Sequence, residues 1–277
     1  MSPEEIAERY IECWKETFSL YKKHVLLVPF FVIAGVKILF LLLVYFCWHP
    51  LVSGFMAPTL ESLAGEEFLH FPMHILALPR VFGVINAFVM LALGFVMLAW
   101  AVFMIDDAIE GKRYRLVNYA GQVSICIPSI LLIGFVFLAL AAGVPWLLEK
   151  IAARVPLGRL LMLVGPLAIF VSLAVRVLLV YSLIFLKYLR GRAFPALKRS
   201  VGFANARLPL TVLVVFTAWM IQKPFEFLGS RSSFLVESSK SEWVAIYLLL
   251  GIIVEIFALF FLFVSTTSIA FGKAGRG

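Results

Sequence analysis

Charged residues make up only 14% of this chain, against 63% hydrophobic, whereas a soluble domain carries about 25% charge. Too little polar surface exists to cover a globular core in water. Cysteine is equally scarce. Cys13, Cys47 and Cys126 are widely spaced and form no CxxC, so neither a disulfide framework nor a zinc site is implied. No phosphate loop, nucleophile elbow, HExxH motif or cofactor fingerprint occurs, so no cofactor is expected and the chain reads as a non-enzyme. No nucleic-acid module accompanies the net charge of +8. Beside hydrophobic runs, that charge reads as a membrane-orientation signal, and nucleic acid is not an expected partner.

Long apolar runs fill the chain instead. About 20 apolar residues in a helix cross ~30 Å of hydrocarbon, and six such segments occur: Val25–Phe46, Val81–Ile105, Ser124–Leu147, Leu160–Leu186, Leu208–Leu228 and Trp243–Ala270. They are too long, and alternate too little, for strands of a membrane barrel. The expected fold is all-α, a polytopic transmembrane bundle of six spans arranged as three helical hairpins. Residues 1–24 are expected to form a cytoplasmic amphipathic helix, and 25–277 a single transmembrane domain. The N-terminal stretch Met1–Lys23 is rich in Glu and lacks a small-residue cleavage site, so a cleaved signal peptide is not expected. Lys and Arg divide fifteen to seven between the two sets of flanks, the richer set holding both termini. The positive-inside rule therefore places both termini in the cytoplasm.

Several polar stretches have helical periodicity. Ile6, Tyr10, Trp14, Phe18 and Tyr21 line one side of Glu4–Lys23, and an interfacial helix is expected there. Ala196–Ala206 repeats the pattern, with Pro195 in its first turn. A third interfacial helix is expected over Thr59–Phe68, with Thr59 as N-cap. Pro128 predicts a kink, and Gly83–Ala87 and Ala139–Gly143 read as small-residue packing faces. Asn86 reads as an interhelical hydrogen-bond residue. The Ser265–Ser268 hydroxyls read as bonding back to their own helix carbonyls.

Three ionisable residues interrupt the spans: Lys37, Arg176 and Glu255. A charge at mid-bilayer costs about 2.5–3.5 kcal/mol on insertion scales. At ~1.5 Å per residue, Lys37 and Glu255 each lie roughly 18 Å from the start of their spans, and Arg176 roughly 16 Å from the end of its own. The shared level makes one cluster of the three, with Ser172 a turn before Arg176. Gly251 and Ala258 turn Glu255 toward the bundle interior, and Ala34 shares the face of Lys37. One reading is a structural ion pair of Glu255 with Arg176 or Lys37. Another is a polar site or proton relay, in which the surplus cation favours an anionic ligand. A third has Lys37 snorkelling to an interface or reaching an anionic headgroup. His70 and His74 have metal-ligand spacing, but Pro72 interrupts the helix they need. Asp106 and Asp107 read as a solvated helix end paired with Lys112, Arg113 and Arg115.

The stretch Tyr188–Arg207 combines a glycine, the run Ala196–Ser200 (ALKRS) and a basic amphipathic helix before a new span. It resembles the YciC-like inner-membrane proteins and the membrane domain joined to some glycerophosphodiester phosphodiesterases. The residue match is confined to Ala196–Ser200; the layout of helix then span extends to Trp14–Lys23 and Glu110–Gln122. The phosphodiesterase barrel is absent, so no hydrolase activity is implied. The resemblance implies cell-envelope maintenance in a bacterial cytoplasmic (inner) membrane. Combined, these features describe a non-enzymatic membrane protein supporting envelope or lipid homeostasis, or a subunit of a membrane assembly with protein partners. Its cytoplasmic contacts with anionic lipid or a partner would include Lys22, Lys23, Lys198 and Arg199. A small transporter is the alternative, and a membrane-embedded enzyme the third reading.

Overall fold

The computed structural model describes residues 2–47, 49–66, 73–112, 116–152, 158–230 and 243–271. They are helical, with no strand among the described residues. The helices are α1 (Pro3–Tyr21), α2 (Val28–Tyr45), α3 (Pro50–Ala64), α4 (Met73–Val89), α5 (Phe95–Ile109), α6 (Leu116–Leu138), α7 (Val144–Ala152), α8 (Gly158–Leu179), α9 (Ser182–Tyr188), α10 (Ala193–Ala206), α11 (Leu208–Ser230) and α12 (Trp243–Phe271). A 3₁₀ turn, His24–Leu27, leads into α2. π-helical turns at Met90–Gly94 and Ala139–Gly143 join α4 to α5 and α6 to α7. Among the described residues, six continuous segments are long and apolar enough to cross a membrane: His24–Tyr45, Leu78–Ile109, Leu116–Leu148, Val164–Tyr188, Leu208–Phe225 and Trp243–Phe271. The chain is a multi-pass, all-α membrane protein.

Two compact units divide the chain. One comprises Met1–Pro29, Leu91–Ala218 and Phe260–Gly277; the other comprises Phe30–Met90 and Trp219–Leu259. In the first unit several helices are enclosed on every side. Ala101–Asp106 is an unbroken run of buried residues, as are Val180–Leu186 and Val264–Ala270. A run longer than one helical turn with no exposed member covers the full circumference of a helix. These helix ends therefore face protein all round.

Local chemistry explains the short helices of this unit. Ser2 and Glu5 form a capping box that starts α1, with Pro3 in its first turn. Cys13, Thr17 and Leu20 make its buried face. The Trp14 ring stacks on Phe261 at 4.2 Å, and Tyr10 hydrogen-bonds Thr217 at 2.8 Å. The apolar stripe of α1 is wider than the face it buries, which leaves Phe18 and Ile11 exposed. Between α8 and α9 the chain leaves α-helical geometry at Val180 and Tyr181. Ser200 of α10 donates to the carbonyl of Leu178 at 2.7 Å, satisfying an acceptor at that break. Arg190 and Gly191 both have positive φ, 51° and 76°, in the turn that reverses the chain into α10. A Cβ on Gly191 would meet Cys126 Sγ at 3.0 Å, so glycine serves both conformation and close approach. Thr266 and Thr267 donate to Leu262 and Phe263 carbonyls as expected, whereas Ser265 Oγ is buried with no partner among the described residues.

Some expectations require correction. The helix expected over Thr59–Phe68 begins at Pro50, capped by His49, because Pro50 supplies the favoured first-turn residue and Pro58 is tolerated inside; 67–72 lie outside the described residues. Gly83, Ala87, Ala139 and Gly143 are exposed, and no atom comes within 4 Å of a Cβ built on Gly83 or Gly143. Gly83 thus meets no described residue, whereas the Ala139–Gly143 backbone does approach α8. The close approach is at Gly134, whose Cβ would lie 2.7 Å from the Phe95 ring. Pro128 sits inside α6, and this span also departs from α-helical bonding at Ala139–Gly143. Asn86 Oδ1 is buried with no donor among the described residues, so the expected interhelical bond is not made through that atom.

Overpacking a tight helix contact costs about 1–3 kcal/mol. Gly134→Leu is therefore expected to lower the thermal midpoint of the purified protein, and Gly83→Leu to leave it unchanged; equal midpoints for the two variants contradict the packing described. Burial, reinforced by the charge of Glu16, pushes the Cys13 thiol up to about 12. The thiolate is the nucleophile, so alkylation of Cys13 at pH 8.5 is expected to run at least a hundredfold slower in the folded than in the denatured chain, read by peptide mass.

Candidate functional sites

Two groups of buried charge stand out, one in each unit. In the unit containing α2, Lys37 Nζ donates to Glu255 Oε1 of α12 at 2.6 Å. The Lys37 side chain has no exposed surface, while Glu255 keeps 22%. Small residues flank both partners. Ala34, a turn before Lys37, and Ala258, a turn after Glu255, are buried. Gly251 brings the α12 backbone against Phe225, 3.5 Å from where a Cβ would stand. An enclosed ammonium needs a counter-charge, because leaving it unpaired costs several kcal/mol. Lys37 therefore does not snorkel to an interface. Arg176 and Ser172 belong to the other unit, half-buried on α8, and Arg176 has contacts of its own.

The second group contains residues read from sequence as a solvated helix end. Asp106 is in fact only 1% exposed, and Lys187 of α9 holds both carboxylates of α5. Lys187 Nζ lies 2.6 Å from Asp106 Oδ2, 2.8 Å from Asp107 Oδ1 and 3.2 Å from the Phe103 carbonyl. All three ammonium hydrogens are thus used. Tyr188 donates to Asp106 Oδ2, and Tyr119 of α6 donates to Asp107 Oδ2. Lys112 pairs with Glu110, which holds its ammonium above the ordinary lysine range. Arg113 and Arg115 lie outside the described residues. Three helices are tied at one point, through partners some eighty positions apart in the chain. No local spacing signals such a contact; only the adjacency of two carboxylates at a span end pointed there.

The basic residues of α10 lie where its amphipathic pattern puts them. Ala193, Ala196, Ser200 and Ala204 form the buried face, and Lys198 and Arg199 are exposed on the other side. The Arg199 guanidinium sits 5.1 Å from the Phe185 ring centre. Phe194 is 73% exposed on the same side as Lys198. Lys22 and Lys23 are exposed just after α1. Among the described residues, no group of three or more His, Cys, Asp or Glu side chains gathers to hold a metal ion; His70 and Pro72 lie outside them. A scan against protein-family models, a search of curated proteins and a search of solved structures found no match to this chain.

Removing one partner of a buried pair costs about 3–5 kcal/mol, because the other charge is stranded. Glu255→Gln is therefore expected to lower the unfolding midpoint strongly, and adding Lys37→Met to recover most of the loss. Adding Arg176→Met instead should recover none. Recovery with Arg176→Met but not Lys37→Met would show that the wrong cation has been assigned.

Proposed function

We propose that this chain is a non-enzymatic protein of a bacterial cytoplasmic membrane that supports envelope or lipid homeostasis, alone or within a membrane assembly. The observation that carries this reading is the surface of α10, where Phe194 stands exposed beside Lys198 while the opposite face packs into the protein. An aromatic ring flanked by cations on a short helix suits the boundary between acyl chains and anionic headgroups. The α1 helix has the same character, with Phe18 and Ile11 exposed and Lys22 and Lys23 following. Both helices precede a span and, in this reading, lie with the termini on the cytoplasmic side. The similarity of Tyr188–Arg207 to YciC-like proteins belongs to this reading too. The buried charges fit it, since Lys37 and Lys187 are engaged by carboxylates rather than lining an open path.

A small transporter is the second reading, favoured by one observation: Glu255 retains accessible surface although its partner has none. A carboxylate reached from one side is what a relay needs.

Each basic residue near an anionic surface contributes about 1 kcal/mol. Purified in mild detergent, the wild-type chain is expected to retain anionic phospholipid over zwitterionic lipid. Replacing Lys22, Lys23, Lys198 and Arg199 by Gln should reduce that retention more than tenfold. Unchanged lipid content in the quadruple variant defeats the proposal. For orientation, a cysteine at exposed Ser62 should react with an impermeant maleimide on intact cells, and one at exposed Lys198 only after lysis. The reverse pattern overturns the topology. Solute-driven proton flux in vesicles, abolished by Glu255→Gln, would favour the transporter.

A further inference from the structure

We propose that the junction of α5, α6 and α9 binds one alkali cation at Asp106. The charges there do not balance. Asp106 and Asp107 bring two carboxylates, and Lys187 brings one ammonium whose hydrogens are all taken. Glu110 and Lys112 neutralise each other nearby. The tyrosines, Tyr119 and Tyr188, donate hydrogen bonds but carry no charge. Among the described residues, one negative charge is left over.

Its position is fixed by a second observation. Asp106 Oδ2 accepts from both Lys187 and Tyr188, yet Asp106 Oδ1 is buried with no donor among the described residues. The surplus charge and the unmet acceptor are the same oxygen. Helix geometry adds to the demand. Asp106 and Asp107 occupy the last turn of α5, where the helix dipole is negative and a cation is favoured. A buried carboxylate oxygen is the hard donor that alkali ions prefer over nitrogen or sulfur ligands. A bound ion would complete the electrostatic tie between the three helices. This inference is independent of lipid binding by α10 and stands or falls separately.

The test uses the full chain in detergent. Thermal unfolding is measured in sodium, potassium and choline chloride at equal ionic strength, and binding of radioactive sodium is measured directly by scintillation proximity. Ligand linkage predicts a saturable rise of a few degrees in the midpoint with sodium or potassium over choline. The two alkali series identify which ion is preferred. Asp106→Asn should abolish the dependence, and wild-type protein should bind about one ion per chain. If Asp106→Asn does not fold, the direct binding measurement on wild-type protein decides. Equal midpoints in all three salts, absence of bound sodium together with no rise in midpoint in potassium, or alkali dependence that survives in Asp106→Asn each overturns the proposal. So does a midpoint that follows pH alone, which would assign the charge to a proton. An alkali dependence that appears only after Arg113→Gln and Arg115→Gln would assign it to those arginines.

Discussion

Hydrocarbon supplies no counter-charge and no hydrogen-bond partner, so a lysine enclosed halfway along a span must find both within the protein. Lys37 finds them in Glu255, at 2.6 Å. That contact joins the first and last spans, two helices more than two hundred residues apart in the chain. Its stabilising value against an apolar pair of the same shape is small, because desolvation offsets most of the attraction. Its value for specificity is larger. Sliding either helix by one turn would strand both charges at once. The pair therefore sets register, with the long Lys37 and Glu255 side chains spanning the distance between the two helices.

The other unit solves the same problem by different means. Helix ends there are closed in by protein, and most of their hydroxyls are spent on nearby carbonyls or on each other, Ser265 Oγ being buried without a partner among the described residues. Tyr181 meets Thr211 at 2.9 Å, and Thr211 bonds back to Arg207. Arg207 reaches the Ile269 carbonyl at the end of α12, where the helix leaves acceptors unfilled. Lys187 gathers two carboxylates from another span. The result is a polar but largely satisfied interior whose outer helices, α1 and α10, turn aromatic and basic side chains outward. The proposed lipid contact rests on that exposed chemistry.

Much of this was legible in the residues. Six apolar runs of sufficient length give six spans, because length and hydropathy alone decide whether a helix can cross. The helices α1 and α10 follow from periodicity, and the burial of Lys37 from its cost in lipid. What was not legible depends on contacts between distant segments. Lys187 reads as a flank residue until the fold brings it to Asp106 and Asp107, and those two read as a solvated end until it does. Small-residue pairs misled for a related reason. Gly134 has Ile130 and Leu138 at the four-residue spacing, so no small-residue pair marks it, and only the neighbouring helix decides that it receives the Phe95 ring. The start of α3 was missed because Pro50 is a first-turn residue that resembles a breaker when read alone.

The most direct test of the account is a charge exchange at the mid-span pair. Lys37→Glu and Glu255→Lys are made singly and together, and folded protein is quantified by unfolding midpoint in detergent. The account predicts that each single reversal, placing like charges side by side, abolishes folded protein, and that the exchanged pair restores a cooperative transition near that of the wild type. Single reversals that fold as well as the wild type, or an exchanged pair no better than either single change, would contradict it.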